Sequence, residues 1–122
     1  MRYLKKFEEM NYAEYPEVDD FISINIKSAN KDLENFTNNT IGKVIEVDDI
    51  KDVFGNTYDK EIIVLYDDVP IEISSYFTSY HAIIDGVIRK IYKRRYLMNE
   101  VYSFGKTIEE LKLRKIRNKF NI

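Results

Sequence analysis

The sequence predicts an α+β domain, in which a small antiparallel sheet, either open or a partial SH3-like barrel, is covered by helices and the C-terminal part is helical and basic. Three observations lead there. Apolar and polar residues alternate over 18–27, and short β-branched runs follow over 41–48 and 61–66. Past Pro70 the apolar period lengthens from 2 to 3.6. Thr107 then opens a Thr-x-x-Glu capping signal before a last helix. The 122 residues are expected to form a single domain in three parts: a helical segment at 1–15, a β-rich acidic part at 16–68 and a helical basic part at 69–122.

Each element has its own signal. Tyr3, Leu4, Phe7 and Met10 share one helical face, so residues 2–10 read as a short amphipathic helix that Pro16 does not allow to continue. Ile22, Ile24 and Ile26 alternate with Ser23, Asn25 and Lys27, which predicts a strand over 18–27. Asn30 suits the cap of a helical stretch reaching Asn38, with Asp32 and Glu34 at the positive end of its dipole. Ile41, Val44, Ile45 and Val47 mark a second strand, and Glu61 to Tyr66 a third. A long connection through Phe54-Gly55-Asn56 joins these two into an antiparallel hairpin.

Ile73, Tyr76, Phe77, Tyr80, Ile83, Ile84, Val87, Ile88 and Ile91 fall on one helical face, which predicts a helix within 71–96 with Pro70 in its first turn. Asp85-Gly86, flanked by Ala82-Ile83-Ile84 and Val87-Ile88, is the competing signal, because Asp-Gly between apolar runs reads as a hairpin. A glycine inside a helix costs only about 1 kcal/mol, so the longer register favours the helix. Val101 to Phe104 reads as a short closing strand. The capping box Thr107-Ile108-Glu109-Glu110 starts a final helix over 108–118.

Composition narrows the class. Hydrophobic residues make up 44% and aromatic ones 14%, enough to fill a core. The absence of cysteine excludes disulfides and thiolate metal sites and fits a reducing compartment. No apolar run approaches the roughly 18 residues of a membrane span, and the start lacks a signal-peptide core, so no membrane contact and a cytoplasmic location are expected. His81 is the single histidine, too little for a zinc site or a serine triad. The pairs Asp19-Asp20, Asp48-Asp49, Asp67-Asp68 and Glu109-Glu110 sit at strand ends or in a helix first turn, where solvation and dipole pairing account for them. Gly42, Gly55, Gly86 and Gly105 stand too far apart for a phosphate loop. A binding protein without catalytic residues, metal or cofactor is the expectation.

Charge points to partners. Residues 1–85 carry 8 basic and 18 acidic side chains, net −10, whereas residues 86–122 carry 11 basic and 3 acidic, net +8. The plain explanation is that the two parts fold against each other and neutralise. The pointed one is a contact surface. Arg89, Lys90, Lys93, Arg94 and Arg95 are interleaved with Tyr92 and Tyr96, a combination that attracts phosphates and offers rings for unpaired bases. Lys112, Arg114, Lys115, Arg117 and Lys119 extend the basic part into the last helix. Asp48, Asp49, Asp52, Asp59, Asp67 and Asp68 form an acidic counterpart able to imitate a phosphate backbone.

The opening Met1 to Glu9, the piece Asn38-Asn39-Thr40-Ile41-Gly42-Lys43, and more loosely Val64 to Phe77 and Ser103 to Leu111 resemble small accessory proteins of tailed phages and prophages. That resemblance implies an SH3-like or related β module with added helices and transfers no catalytic residue. The departure falls at 80–95, where this chain carries an additional basic, apolar segment. The short, cysteine-free, Lys/Asn/Ile-rich and bipolar chain also resembles the general type of phage inhibitors of bacterial defence, to which anti-CRISPR proteins belong. Residues 1–10 are similar to segments that target phage proteins into capsids, which implies a virion location as a competing reading. The resemblance thus implies a host defence protein or ribonucleoprotein as partner, with RNA met through the basic part.

Overall fold

The computed structural model describes residues 15–119, so the helix expected at 2–10 lies outside the described residues. The chain folds as α+β, with one six-stranded antiparallel sheet in the order β4-β5-β3-β2-β1-β6. The strands are β1 (Phe21–Ile24), β2 (Ile41–Lys51), β3 (Thr57–Tyr66), β4 (Thr78–Ile84), β5 (Val87–Leu97) and β6 (Val101–Gly105), with helices α1 (Lys31–Asn39) and α2 (Ile108–Lys119). The sheet is open, with β4 and β6 as its edges.

Local chemistry explains the elements that the sequence announced. Asn30 caps α1, its Oδ1 accepting the N–H groups of Asp32 and Leu33 at 3.1 Å each. Asn38 locks the far end of α1 to the chain leaving β1, exchanging hydrogen bonds with the backbone of Ile26 at 2.8 and 3.0 Å. Thr107 Oγ1 accepts the Glu110 N–H at 3.1 Å, as a cap should, but the Glu110 carboxylate accepts from Lys106 N–H rather than from the cap residue. Gly42 leaves room for β3, since a Cβ there would collide with Val64 Cγ1.

The segment 71–96 is not a helix, and this corrects both that expectation and the helical reading of 69–122 as a whole. Pro70 precedes a six-residue 3-10 turn, Ile71–Tyr76, and β4 and β5 then form a hairpin. Asp85 and Gly86 make its turn with φ of 53° and 77°, the doubly positive geometry that suits the right-handed twist of the strands. Ile83, Val87 and Ile88 are 76%, 55% and 70% exposed, so the helical spacing that they shared had no burial behind it. β-branched residues prefer the strand.

Opposed residues in an antiparallel ladder share a face. By that rule Ile22, Val44, Ile62, Val64, Tyr66, Tyr96 and Phe104 lie on one face, the front, where they are buried. Leu33 and Phe36 of α1, with Val69, Ile73 and Phe77, complete this core. The rings of Phe36, Tyr66 and Phe77 meet pairwise at 5.5 to 5.8 Å between centroids. Each fully buried apolar side chain stabilises the fold by about 1.5–3 kcal/mol. α2 lies along β6 and β1, where Leu111 is buried and its carbonyl accepts the Ser103 hydroxyl at 2.7 Å. Asp20, 1% exposed, is matched by Lys106 Nζ at 2.7 Å.

Two ribbons extend past the common sheet in opposite directions. β3 pairs with β5 only from Glu61–Leu97 to Tyr66–Tyr92. Beyond Leu97 the β2–β3 hairpin runs on alone to its turn, and beyond Tyr66 the β4–β5 hairpin does the same. Among the described residues no helix is long and apolar enough to cross a membrane.

Candidate nucleic-acid interface

The basic run predicted as one cluster is divided by the period of the strand. Along β5, Arg89, Lys93 and Arg95 face the back of the sheet, with Lys93 opposite Leu65 and Arg95 opposite Ile63. Lys90, Tyr92, Arg94 and Tyr96 face the front. Adjacent residues of a strand point to opposite sides, so a contiguous basic run cannot be one patch.

The front-facing members are partly structural. Tyr96 is 1% exposed and shares a 3.0 Å hydrogen bond with the Tyr66 hydroxyl, so no base can stack on it, and it joins the core instead. Burial pushes both phenols above the usual tyrosine range. Tyr92 is half-buried and packs against the same core, with Lys90 Nζ 5.6 Å from its ring centre. The Arg94 guanidinium lies 5.8 Å from the Phe77 ring and 5.6 Å from that of Tyr96, and Nη1 donates to the Tyr76 carbonyl at 3.3 Å.

The back-facing members are open. Arg89 and Arg95 are exposed and Lys93 is half-buried, its Nζ 5.6 Å from the Tyr80 ring. Where β4 begins beside Lys93, the sheet edge steps back and leaves a concavity of about 450 Å³ lined by Ile63, Tyr76, Thr78, Lys93, Arg94 and Arg95. Tyr76 and Tyr80, 47% and 38% exposed, flank this step. Sequence reasoning counted both tyrosines on a helical face and so missed them as site residues. The Asp85-Gly86 turn was the signal that points to the hairpin, and with it to Tyr80 opposite Ile91.

The α2 cations do not join this site. β5 and β6 stand four strand spacings apart, about 19 Å. Arg114 covers the Phe104 ring at 4.1 Å and Lys115 approaches Tyr102 at 5.7 Å, both beside β6, while Lys112 is exposed and Arg117 half-buried on the same helix.

The acidic residues are divided in the same way. Asp48 and Asp59 face the back, and the register adds Glu46 and Glu61, which the sequence reading left out. Asp49 faces the front, where its ion pair with Lys60 holds its carboxyl below the usual range. Asp52 turns inward on its own loop, accepting from the N–H groups of Phe54 and Asn56 at 2.9 and 3.0 Å. Asp67 and Asp68 are exposed just after β3. Acidic and basic residues therefore lie end to end on the back of the sheet instead of cancelling across it, with Arg95 and Glu61 ion-paired at the boundary. His81 stands opposite Lys90 on the exposed hairpin, and no cluster of three or more metal-ligating side chains occurs among the described residues.

No family model matches the sequence, and neither a curated protein nor a solved structure matches it.

Proposed function

We propose that this chain is a non-enzymatic binding protein of phage type that engages a bacterial ribonucleoprotein in the host cytoplasm, with an RNA-guided CRISPR nuclease as the favoured target. The observation that carries the reading is the basic concavity of Lys93, Arg94 and Arg95 flanked by the exposed rings of Tyr76 and Tyr80. Cations neutralise phosphates and exposed rings stack on unpaired bases, so this step in the sheet edge suits single-stranded RNA. A ribonucleoprotein also presents the basic grooves in which its RNA lies, and the acidic end of the back face is complementary to those. The phage assignment and the kinship with SH3-like phage modules rest on the resemblance of the opening residues and of residues 38–43.

The test is capture from bacteria expressing RNA-guided nucleases, followed by a cleavage assay with the captured complex. Recovery of the nuclease, and loss of cleavage that Lys93→Ala with Tyr80→Ala reverses, is the expected result. Failure to recover any defence component overturns it. A second reading, a nucleic-acid-binding phage accessory or virion protein, is favoured by Tyr76 and Tyr80, because exposed rings beside cations serve free single strands without any protein target. A shift of RNA alone, with no protein captured, selects it.

A further inference from the structure

Antiparallel register places Glu46, Asp48 and Glu61 at one end of the back face and Lys93, Arg95 and Arg89 at the other. Glu46, Asp48, Arg89 and Arg95 are exposed. Between the ends lie half-buried Leu65 on β3 and, on β5, Leu97, 38% exposed, on either side of Ile63, which is only 6% exposed. The described α1 packs on the other face, and α2 lies along β6 and β1. Such a face has a property that a uniformly charged one lacks. Turned over about a two-fold axis running across the strands, it lays its own acidic end on the basic end of an identical copy. A surface of this kind is self-complementary, which is the requirement of a closed two-fold dimer.

We propose that the chain forms a symmetric dimer through the back faces of two sheets, with the β2–β3 end of each protomer against the β5 end of the other. Stacked sheets with interdigitating side chains are an ordinary packing, and Leu65 and Leu97, the apolar side chains still accessible between the two charged ends, supply the dry centre. Charge sets the direction, since the parallel arrangement would put acid on acid and base on base. The proposal does not need the nucleic-acid reading and competes with it for Lys93 and Arg95, so single-stranded RNA held by those cations would open the dimer rather than build it.

The test is sedimentation velocity on nuclease-treated full-length protein. A dimer is expected in about 50 mM salt, weakening roughly tenfold or more in about 500 mM salt as screening shortens the reach of the charges. Two charge-reversed proteins sharpen it. Arg89→Glu with Lys93→Glu and Arg95→Glu turns the basic end acidic, and Glu46→Lys with Asp48→Lys and Glu61→Lys turns the acidic end basic. Each alone should be monomeric, and an equal mixture should restore a dimer containing one of each. Circular dichroism confirms that each variant folds, and the salt series on the wild type stands even if one does not. A monomeric wild type in low salt overturns the proposal and leaves the face to a foreign protein. It is equally overturned by a dimer that disappears on nuclease treatment, or by one that both variants retain.

Discussion

Arg95 and Glu61 are ion-paired across the β3–β5 ladder, at the line where the back of the sheet turns from acidic to basic. Arg95 keeps 67% of its side-chain surface exposed, and an exposed pair of this kind contributes about 0–1 kcal/mol. Arg95→Ala is therefore expected to change stability by about 0.5 kcal/mol or less. Arg94, its neighbour in sequence, lies over Phe77 and Tyr96 on the opposite face. Removing it strips a cation from two rings and a hydrogen bond from the Tyr76 carbonyl, so Arg94→Ala should cost about 1–2 kcal/mol. Urea denaturation of the two single variants distinguishes them, and equal losses would contradict the assignment of faces.

Two glycines should fail for different reasons. Gly86 adopts φ of 77° with no atom within 4 Å of a built Cβ, so Gly86→Ala meets only backbone strain, about 1 kcal/mol. Gly42→Ala drives a methyl group into Val64 and to 3.1 Å from the Leu65 carbonyl, which the paired strand cannot easily yield. Overpacking of that kind costs roughly 1–3 kcal/mol, and the upper part of that range is expected here. Denaturant midpoints should fall further for Gly42→Ala than for Gly86→Ala, and the reverse order would refute this account of β2 against β3.

The fold was legible where period and burial agree. Ile22 and Ile24 alternate because one side of β1 meets the core, and Asn30 and Thr107 announced their helices because a cap is a local event. The segment 71–96 misled because Ile83, Val87 and Ile88 are apolar without being buried, so their spacing records a projecting hairpin. At the site, the cations were legible as residue types but their division between faces was not. Strand alternation alone parts Arg95 from Arg94, but a helical reading of the segment hides it. The register between β2 and β3 brings Glu46 and Glu61 to the same back face, and no property of a single strand fixes its partner's register.

Alkaline pH should weaken the fold. Tyr66 and Tyr96 have folded-state pKa values raised by burial, so both stay protonated in the native state when the unfolded chain begins to ionise near pH ~10. Their contribution is complete below that pH and is lost as pH rises from there through the folded values, by up to about 1.4 kcal/mol per pH unit for each group. Lys106 is shifted in the same direction by its hydrogen bonds to Asp20 and Glu17, so what its ion pairs contribute also declines once a lysine of the unfolded chain loses its proton, above about pH 10.4. Tyr66→Phe should cost about 1 kcal/mol at pH 7, where the Tyr96 hydroxyl loses its partner. Above pH ~10 its disadvantage should narrow, because one of the coupled ionisations is gone. Thermal melts from pH 7 to 11 measure both, and a gap that widens with pH would reverse the sign argued here.

Salt dependence separates the cations that grip phosphate from the side chains that stack. On single-stranded RNA each neutralised phosphate adds about −0.7 to the slope of log affinity against log salt. If Arg89, Lys90, Lys93, Arg94 and Arg95 all engaged phosphates, the slope would approach about −3.5. Arg94 is held over two rings in the front of the sheet, however, so the exposed Arg95 and half-buried Lys93 should carry more of it. Arg95→Ala and Lys93→Ala are expected to make the slope shallower by about 0.7 each. Tyr76→Ala and Tyr80→Ala should behave differently: affinity falls by about 1–3 kcal/mol for each stacked base lost, while the slope stays as in the wild type. Tyr96→Phe should alter neither, because that ring is buried beneath Arg94. Mobility-shift titrations at several salt concentrations read slope and affinity together. A slope unchanged by Arg95→Ala and Lys93→Ala would remove the concavity from the RNA-binding site, whatever the affinity of the wild type.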